Sequence, residues 1–450
     1  MAAVEAQVQA LFALHGPRYR WLATITVMLG TMSVVLASTI INVAIPTIMV
    51  EFQLAQDQVH WLATGFLAAM TVGMLLNAWC AQRFGARGAY LLAMGLFIAV
   101  SIIGAFSEQF PLLVAARIGQ GLLAGLIQPL AMITIFQVFP LNRRGQAMGI
   151  YGLGVVLGPA MAWRYLPGKD RQLAAIRLDR AGVLLLAMGI TAVLWGLANG
   201  HRRGWGDPLL LVTLPGGIVS LVLFSFWQRR NPQPLMDLRV FRYPGFTGSF
   251  LMSMVIGAGV FASTYVTPLY FQQVLGESAA SAGLMLMPAG LAMAFTFPVA
   301  GHLTDRFSET RIMMAGLVLF VLNMVLMAGA TLTTSAVWLV WWTLLGRVGL
   351  GLMMPPSSTG ALGLLPPALI PQGSGIFNFA RQIGGALGVN LCALCIQFFS
   401  DRYGQTDPAA SLAQAFEYGF DRAFWLLLIV FLLALWPLHA MRRGLIRKLL

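Results

Sequence analysis

"ARIGQGLLAG", residues 116–125, places an arginine inside an apolar run, and "GRVGLGLMMP", residues 346–355, does so again. Arg117 falls on Arg347 and Gly121 on Gly351. A second pattern is also doubled. "AWCAQRFGARG" (78–88) matches "GHLTDRFSETR" (301–311), with Arg83 on Arg306 and Gln82 opposite Asp305. Two patterns repeated in the same order divide the chain into two related halves.

The surroundings say what kind of halves these are. Of 450 residues, 58% are hydrophobic and only 10% are charged. A soluble domain carries about 25% charged residues. Apolar runs recur at a length of about 20 residues, enough to cross a bilayer as a helix. Lipid admits only helices or closed barrels, because every backbone amide needs a partner. No ten-residue alternation is present, so the spans are helices. The expected fold is an all-α polytopic membrane protein with two pseudo-symmetric helical halves and two linking helices. Thirteen spans are expected, at 21–45, 59–81, 88–106, 111–138, 145–165, 181–199, 207–228, 245–272, 281–303, 312–332, 335–357, 372–399 and 421–441. Paired repeats of this kind are typical of secondary transporters, whose halves move about a midplane site.

The net charge of +13 would suggest nucleic acid in a soluble protein. Here the arginines sit in short loops, which is the mark of membrane orientation instead. Arg83 and Arg87, Arg143 and Arg144, Arg229 to Arg242, Arg306 and Arg311, and the terminal Arg442 to Lys448 define the inside face. Arg18 and Arg20 before the first span place the N-terminus inside too. Two loops resist: 199–208 carries Arg202 and Arg203 on the outside, and 358–371 carries no charge on the inside. The three cysteines form no disulfide framework. Cys392 and Cys395 read as small residues on a packed helix face. No phosphate-binding glycine–lysine loop, HExxH or GxSxG occurs, so neither ATP hydrolysis nor another enzymatic activity is expected. No metal or cofactor is implied.

One stretch contradicts its own charges. "YGLGVVLGPAMAWRYLPGKD" (151–170) lies between Arg143–Arg144 and the basic loop holding Lys169, Arg171, Arg177 and Arg180. Both ends belong inside, yet the apolar run 145–163 is long enough for about one crossing, not two.

These residues together resemble the major facilitator superfamily, and within it the fourteen-helix drug:proton antiporter branch of the EmrB/QacA type. "LASTIINVAIPTI" (36–48) resembles the first-helix motif "LDxTIVNVALP". Residues 78–88 and 301–311 resemble the loop "GxLADRxGRR". "RIGQG" (117–121) resembles the fourth-helix "RxxQGxG". "GLGVVLGPA" (152–160) resembles the start of the fifth-helix "GxxxGPxxGG", and "RQIGGALGV" (381–389) the thirteenth helix. Against that pattern, Pro159 and Ala160 run straight into what looks like the end of the sixth helix. About one crossing is missing, which turns fourteen spans into thirteen. The expected segments are an N-terminal transmembrane half at 1–166, fused near 158–163, a linker at 167–243 with two helices between basic loops, and a C-terminal half at 244–450.

The resemblance implies export of small lipophilic compounds by alternating access from the inner (plasma) membrane, coupled to protons. A periplasmic adaptor protein is a partner the family allows. It implies roles for Arg117, Gln120 and Gly121 in proton coupling, and for Arg83, Gly85, Gly301, Asp305, Arg306 and Arg311 in a cytoplasmic gate. Gly154, Gly158 and Pro159 would form the antiporter-type helix. Each has a plainer reading beside it: Arg117 can snorkel to the surface, the loop charges can be solvated, and the glycines can serve close packing. Asn42, Arg347, Asn378, Arg381 and Asn390 are the polar groups expected near a substrate cavity. Ala37 stands where the family has an aspartate, and all fifteen acids fall in loops or at helix ends. His302 can titrate near neutral pH, but it lies beside a loop. Two other readings therefore stand: a transport-inactive or regulatory descendant of such an exporter, and a proton-independent facilitator.

Overall fold

The computed structural model describes residues 2–20, 22–26, 48, 51–53, 61–138, 178–407 and 411–449. All regular structure among the described residues is helical. The helices are α1 (Ala2–His15), α2 (Trp61–Ala105), α3 (Phe110–Val138), α4 (Arg180–Arg203), α5 (Pro208–Arg230) and α6 (Phe246–Gln273). They continue as α7 (Ala279–Arg306), α8 (Glu309–Ala328), α9 (Ala336–Gly363), α10 (Ile370–Thr406), α11 (Leu412–Leu433) and α12 (Leu435–Leu449). Ten stretches among the described residues are long and apolar enough to cross a membrane. They overlap eleven of the thirteen expected spans, because Gly65–Ala105 covers most of two. The span at 145–165 lies outside the described residues, as does that at 21–45 except for Leu22–Thr26.

Helix α2 is two crossings joined at a glycine. Its 45 residues would extend about 68 Å if straight. Gly85 has φ 74° and ψ 163°, which no helix contains and which a side chain strongly disfavours. One turn of α3 touches both ends of α2: Gly121 packs on Phe66 and Gly119 on Val100. Residues 66 and 100 can meet the same turn only if the chain folds back near Gly85.

The helix starts follow from local chemistry. Asp179 caps α4 by accepting from Gly182 N at 2.9 Å. Asp207 caps α5 at Leu209 N, ahead of Pro208 at the first helical position. Ser411 and Gln414 form a reciprocal capping box at the start of α11. That box starts α11 nine residues before the expected span at 421, so Glu417 and Asp421 lie inside the helix. Asp421 is in its third turn, not in a loop or at a helix end.

The chain divides into two compact units. The first comprises Met1–Arg242 with Leu365–Phe379, and the second Tyr243–Leu364 with Ala380–Leu450. Residues 365–379 join the first unit through polar contacts. Ser374 Oγ donates to the Pro129 carbonyl at 3.1 Å, and Asn77 Nδ2 to that of Pro371 at 3.4 Å. The second unit has a continuous apolar core that includes Tyr270, Phe320, Phe420, Phe424 and Phe431.

Candidate functional site

In the first unit, the repeated arginine motif builds a small polar network in an apolar helix pair. Arg117 is 5% exposed on α3. Its Nη1 donates to Gln120 Oε1 at 2.8 Å, and Gln120 Nε2 donates to Ser101 Oγ at 2.9 Å. Ser101 in turn donates to the Phe97 carbonyl at 2.6 Å. Arg117 Nε reaches the Leu62 carbonyl at 3.4 Å, and its guanidinium lies 4.4 Å from the Phe66 ring centroid. The arginine therefore spans both arms of α2, with Leu62 and Phe66 on the first and Ser101 on the second. A cation in lipid is costly, and this one is held by polar and ring contacts.

Glycines let the backbones approach closely enough for this. A Cβ on Gly121 would overlap the Phe66 carbonyl, and one on Gly125 the Met70 carbonyl. Gly73 meets Leu122 from the other side. The second repeat copies the packing. Gly351 lies against Thr296 of α7, as Gly121 lies against the first arm of α2. Gly349 lies against the Gly316 carbonyl of α8, as Gly119 lies against the second arm. Gln120 has no polar counterpart, since its equivalent is the buried Leu350.

The loop motif folds in two ways. In the first copy Gly85 makes the break by its positive φ, beside exposed Arg83. In the second copy α7 ends at Arg306 and α8 starts at Glu309, across extended Phe307 and Ser308. Gly301 is buried there, Asp305 is half-buried, and Arg306, Arg311 and His302 are exposed.

The expected cavity residues fall in both units, with Asn378, Arg381 and Asn390 on α10. Asn378 is fully buried in the first unit; its Nδ2 donates to the Ser374 carbonyl at 2.9 Å and faces Met132 Sδ at 2.8 Å. Arg347, Arg381 and Asn390 belong to the second unit. Asn390 donates to the Ala386 carbonyl of its own helix at 2.8 Å. Arg381 begins the glycine seam of α10, where Gly384, Gly385 and Gly388 pack on Met254, Phe261 and Ala258 of α6. Gly154, Gly158, Pro159, Asn42 and Ala37 lie outside the described residues.

Two groupings escaped the sequence reading. Glu417 and Asp421 accompany Tyr418 and Arg422 on α11, with Arg422 4.6 Å over the Tyr418 ring and 3.7 Å from Asp421. The S-x-x-Q of the capping box was the available signal. The other is Asp179, which ties the linking helices together. It accepts from Trp227 Nε1 and Gln228 Nε2, each at 2.8 Å, and Gln228 accepts from Met236 N at 3.0 Å. Burial pushes its carboxyl up, but hydrogen bonds from Gly182, Trp227, Gln228 and Asn231 outweigh this and hold it below the usual range.

The fold and the doubled motifs define a helical membrane protein built on two related halves. The chain belongs to the Major Facilitator Superfamily, whose family model matches residues 27–389. It is 29% identical over 397 residues to the uncharacterized MFS-type transporter YhcA of Bacillus subtilis (strain 168), covering 82% of this chain and 75% of that one. It is 28% identical to the lincomycin resistance protein LmrB of the same organism, covering 90% and 92%. A multidrug resistance protein B homolog of Mycobacterium tuberculosis (strain ATCC 25618 / H37Rv) is 27% identical over 80% and 73%. Among solved structures, the proton:xylose symporter XylE shares the fold at TM-score 0.62 and 16% identity, covering 93% and 95%. The human organic anion transporter MFSD10 does so at 0.57 and 15%, covering 96% and 99%.

Proposed function

We propose that this chain is a secondary active transporter of the drug:proton antiporter branch, exporting small lipophilic compounds by alternating access. The observation that carries the reading is Arg117, buried in a membrane helix and tied to both arms of α2 through Gln120, Ser101 and Leu62. Intramembrane charges of this kind mark transport pathways. Relatives named for lincomycin and multidrug resistance support export of drug-like compounds. Arg83, Gly85, Gly301, Asp305, Arg306 and Arg311 are assigned to the cytoplasmic gate. Arg117, Arg347 and Arg381, set among few acids, favour neutral or weakly acidic lipophilic substrates over dications. Protons are the coupling ion by family resemblance. A periplasmic adaptor and the inner membrane belong to the same reading, with the N-terminus cytoplasmic.

The branch assignment includes the shortened region between the fifth and sixth helices. The motif break after Ala160 supports it.

Accumulation of a fluorescent lipophilic dye tests the function in cells with and without the protein, and with and without a protonophore. Lower accumulation that the protonophore abolishes is the expected result. Faster dye equilibration in both directions, with unchanged final accumulation and no response to the protonophore, means a facilitator. Equal accumulation at an unchanged rate for every weak-acid and neutral dye tried means a transport-inactive chain.

A further inference from the structure

Helices α11 and α12 run from Leu412 to Leu449 with a break at Ala434. Helix of that length extends about 56 Å, well past the ~30 Å of bilayer hydrocarbon. Its final turns carry Arg442, Arg443, Arg447 and Lys448. By the positive-inside rule they end in the headgroup layer of the cytoplasmic leaflet.

Here α12 crosses the start of α6 at very short range, within the second unit. A Cβ on Gly444 would overlap the Pro244 carbonyl and the Cα of Gly245, and one on Gly248 would overlap the Pro437 carbonyl. Gly245 has φ +88°, a conformation that lets the chain turn into α6 without a side chain in the way. The crossing leaves an open groove of about 320 Å³ with Pro244, Gly245 and Gly444 among its walls. Trp436, His439 and Arg443 rim it from α12. Their spacing of three and four residues puts all three on one helix face. Trp436 is 67% exposed, and His439 and Arg443 are also exposed. Among the described residues, no acidic side chain lines the groove.

We propose that this groove is a binding site for the headgroup of an anionic phospholipid. The small, apolar walls admit the glycerol end, and Arg443 and His439 face the phosphate. Trp436 has the amphipathic ring favoured at the headgroup level. The neighbouring basic residues supply the charge that draws anionic lipid to a juxtamembrane segment. The site is independent of substrate and of proton coupling.

The test uses the purified full-length chain in neutral detergent, titrated with phosphatidylglycerol, phosphatidylcholine or soluble glycerol 3-phosphate. Bound lipid is counted by native mass spectrometry, and the thermal midpoint is followed in parallel. Phosphatidylglycerol should bind and raise the midpoint, and the other two should not. Arg443→Ala should weaken that binding about fivefold, the effect of one juxtamembrane charge. Arg443→Lys and the double change Arg202→Ala with Arg203→Ala should leave it intact, and His439→Gln should weaken it by a smaller factor. Equal binding of phosphatidylcholine overturns the proposal. An equal shift with glycerol 3-phosphate overturns it in favour of a free-phosphate site. Unchanged phosphatidylglycerol binding by Arg443→Ala also overturns it. If the alanine variant does not fold, the lipid comparison on the unaltered chain still decides.

Discussion

Arg117 is where charge and lipid conflict most sharply. Its cost is offset by Gln120, the Leu62 carbonyl and the Phe66 ring. Under the proposed function, Arg117→Ala should cut dye uptake into everted vesicles at least about tenfold without reducing membrane insertion. Gln120→Leu, which copies the second repeat, should give a smaller loss, since it releases the arginine from Ser101 without removing its charge. Equal uptake in Arg117→Ala would remove the residue from the pathway. Asp179 makes a different prediction, about stability. Asp179→Ala removes a helix cap and the Trp227 and Gln228 contacts, and should cost about 1–2 kcal/mol. The carboxyl is held below its ordinary range, so its contribution is full above the unfolded value of about 4 and fades as pH falls through the folded value. The thermal midpoint of Asp179→Asn should therefore approach that of the unaltered chain as pH drops below about 4.

At the scale of elements, glycine contacts rather than apolar area set the helix pairs. Apolar area gives little drive between helices already in lipid, so close backbone approach carries the specificity. Gly384→Val and Gly121→Val should each force α10 from α6, or α3 from α2, and cost about 1–3 kcal/mol. Lower yield of monodisperse protein and a lower thermal midpoint are the readouts. Gly283→Val, where a Cβ meets open space, should change neither. Helix α2 shows the limit of reading elements from sequence. Its two spans were legible as two apolar runs around Arg83 and Arg87. The break itself depends on the φ of Gly85, and the second copy of the motif breaks its helices without a glycine.

For the whole molecule, topology is the decisive measurement. Labelling at 172 and 235 decides how the run at 145–163 sits: the loop charges place both positions on the cytoplasmic side, and if both label there the run does not cross. External labelling at both would set the second half against its own charges and would sink the exporter reading. Much of the architecture was written in the sequence, because lipid imposes simple rules: length, apolarity and loop arginines give the spans, and the doubled "RIGQG" and loop motifs give the halves. Eleven spans reappear in the described helices. Other features depended on neighbours remote in the chain. Leu365–Phe379 belongs to the first unit because Ser374 and Asn378 meet Pro129 and Met132, and no local pattern encodes that contact. Arg117 could be read as intramembrane from its apolar flanks, but its partners on both arms of α2 exist only once that helix folds back. The sequence by itself determined which segments enter the bilayer, since that depends on each segment's own transfer from water. Only the tertiary structure decided which polar groups inside it are matched, since that depends on which backbones the glycines bring together.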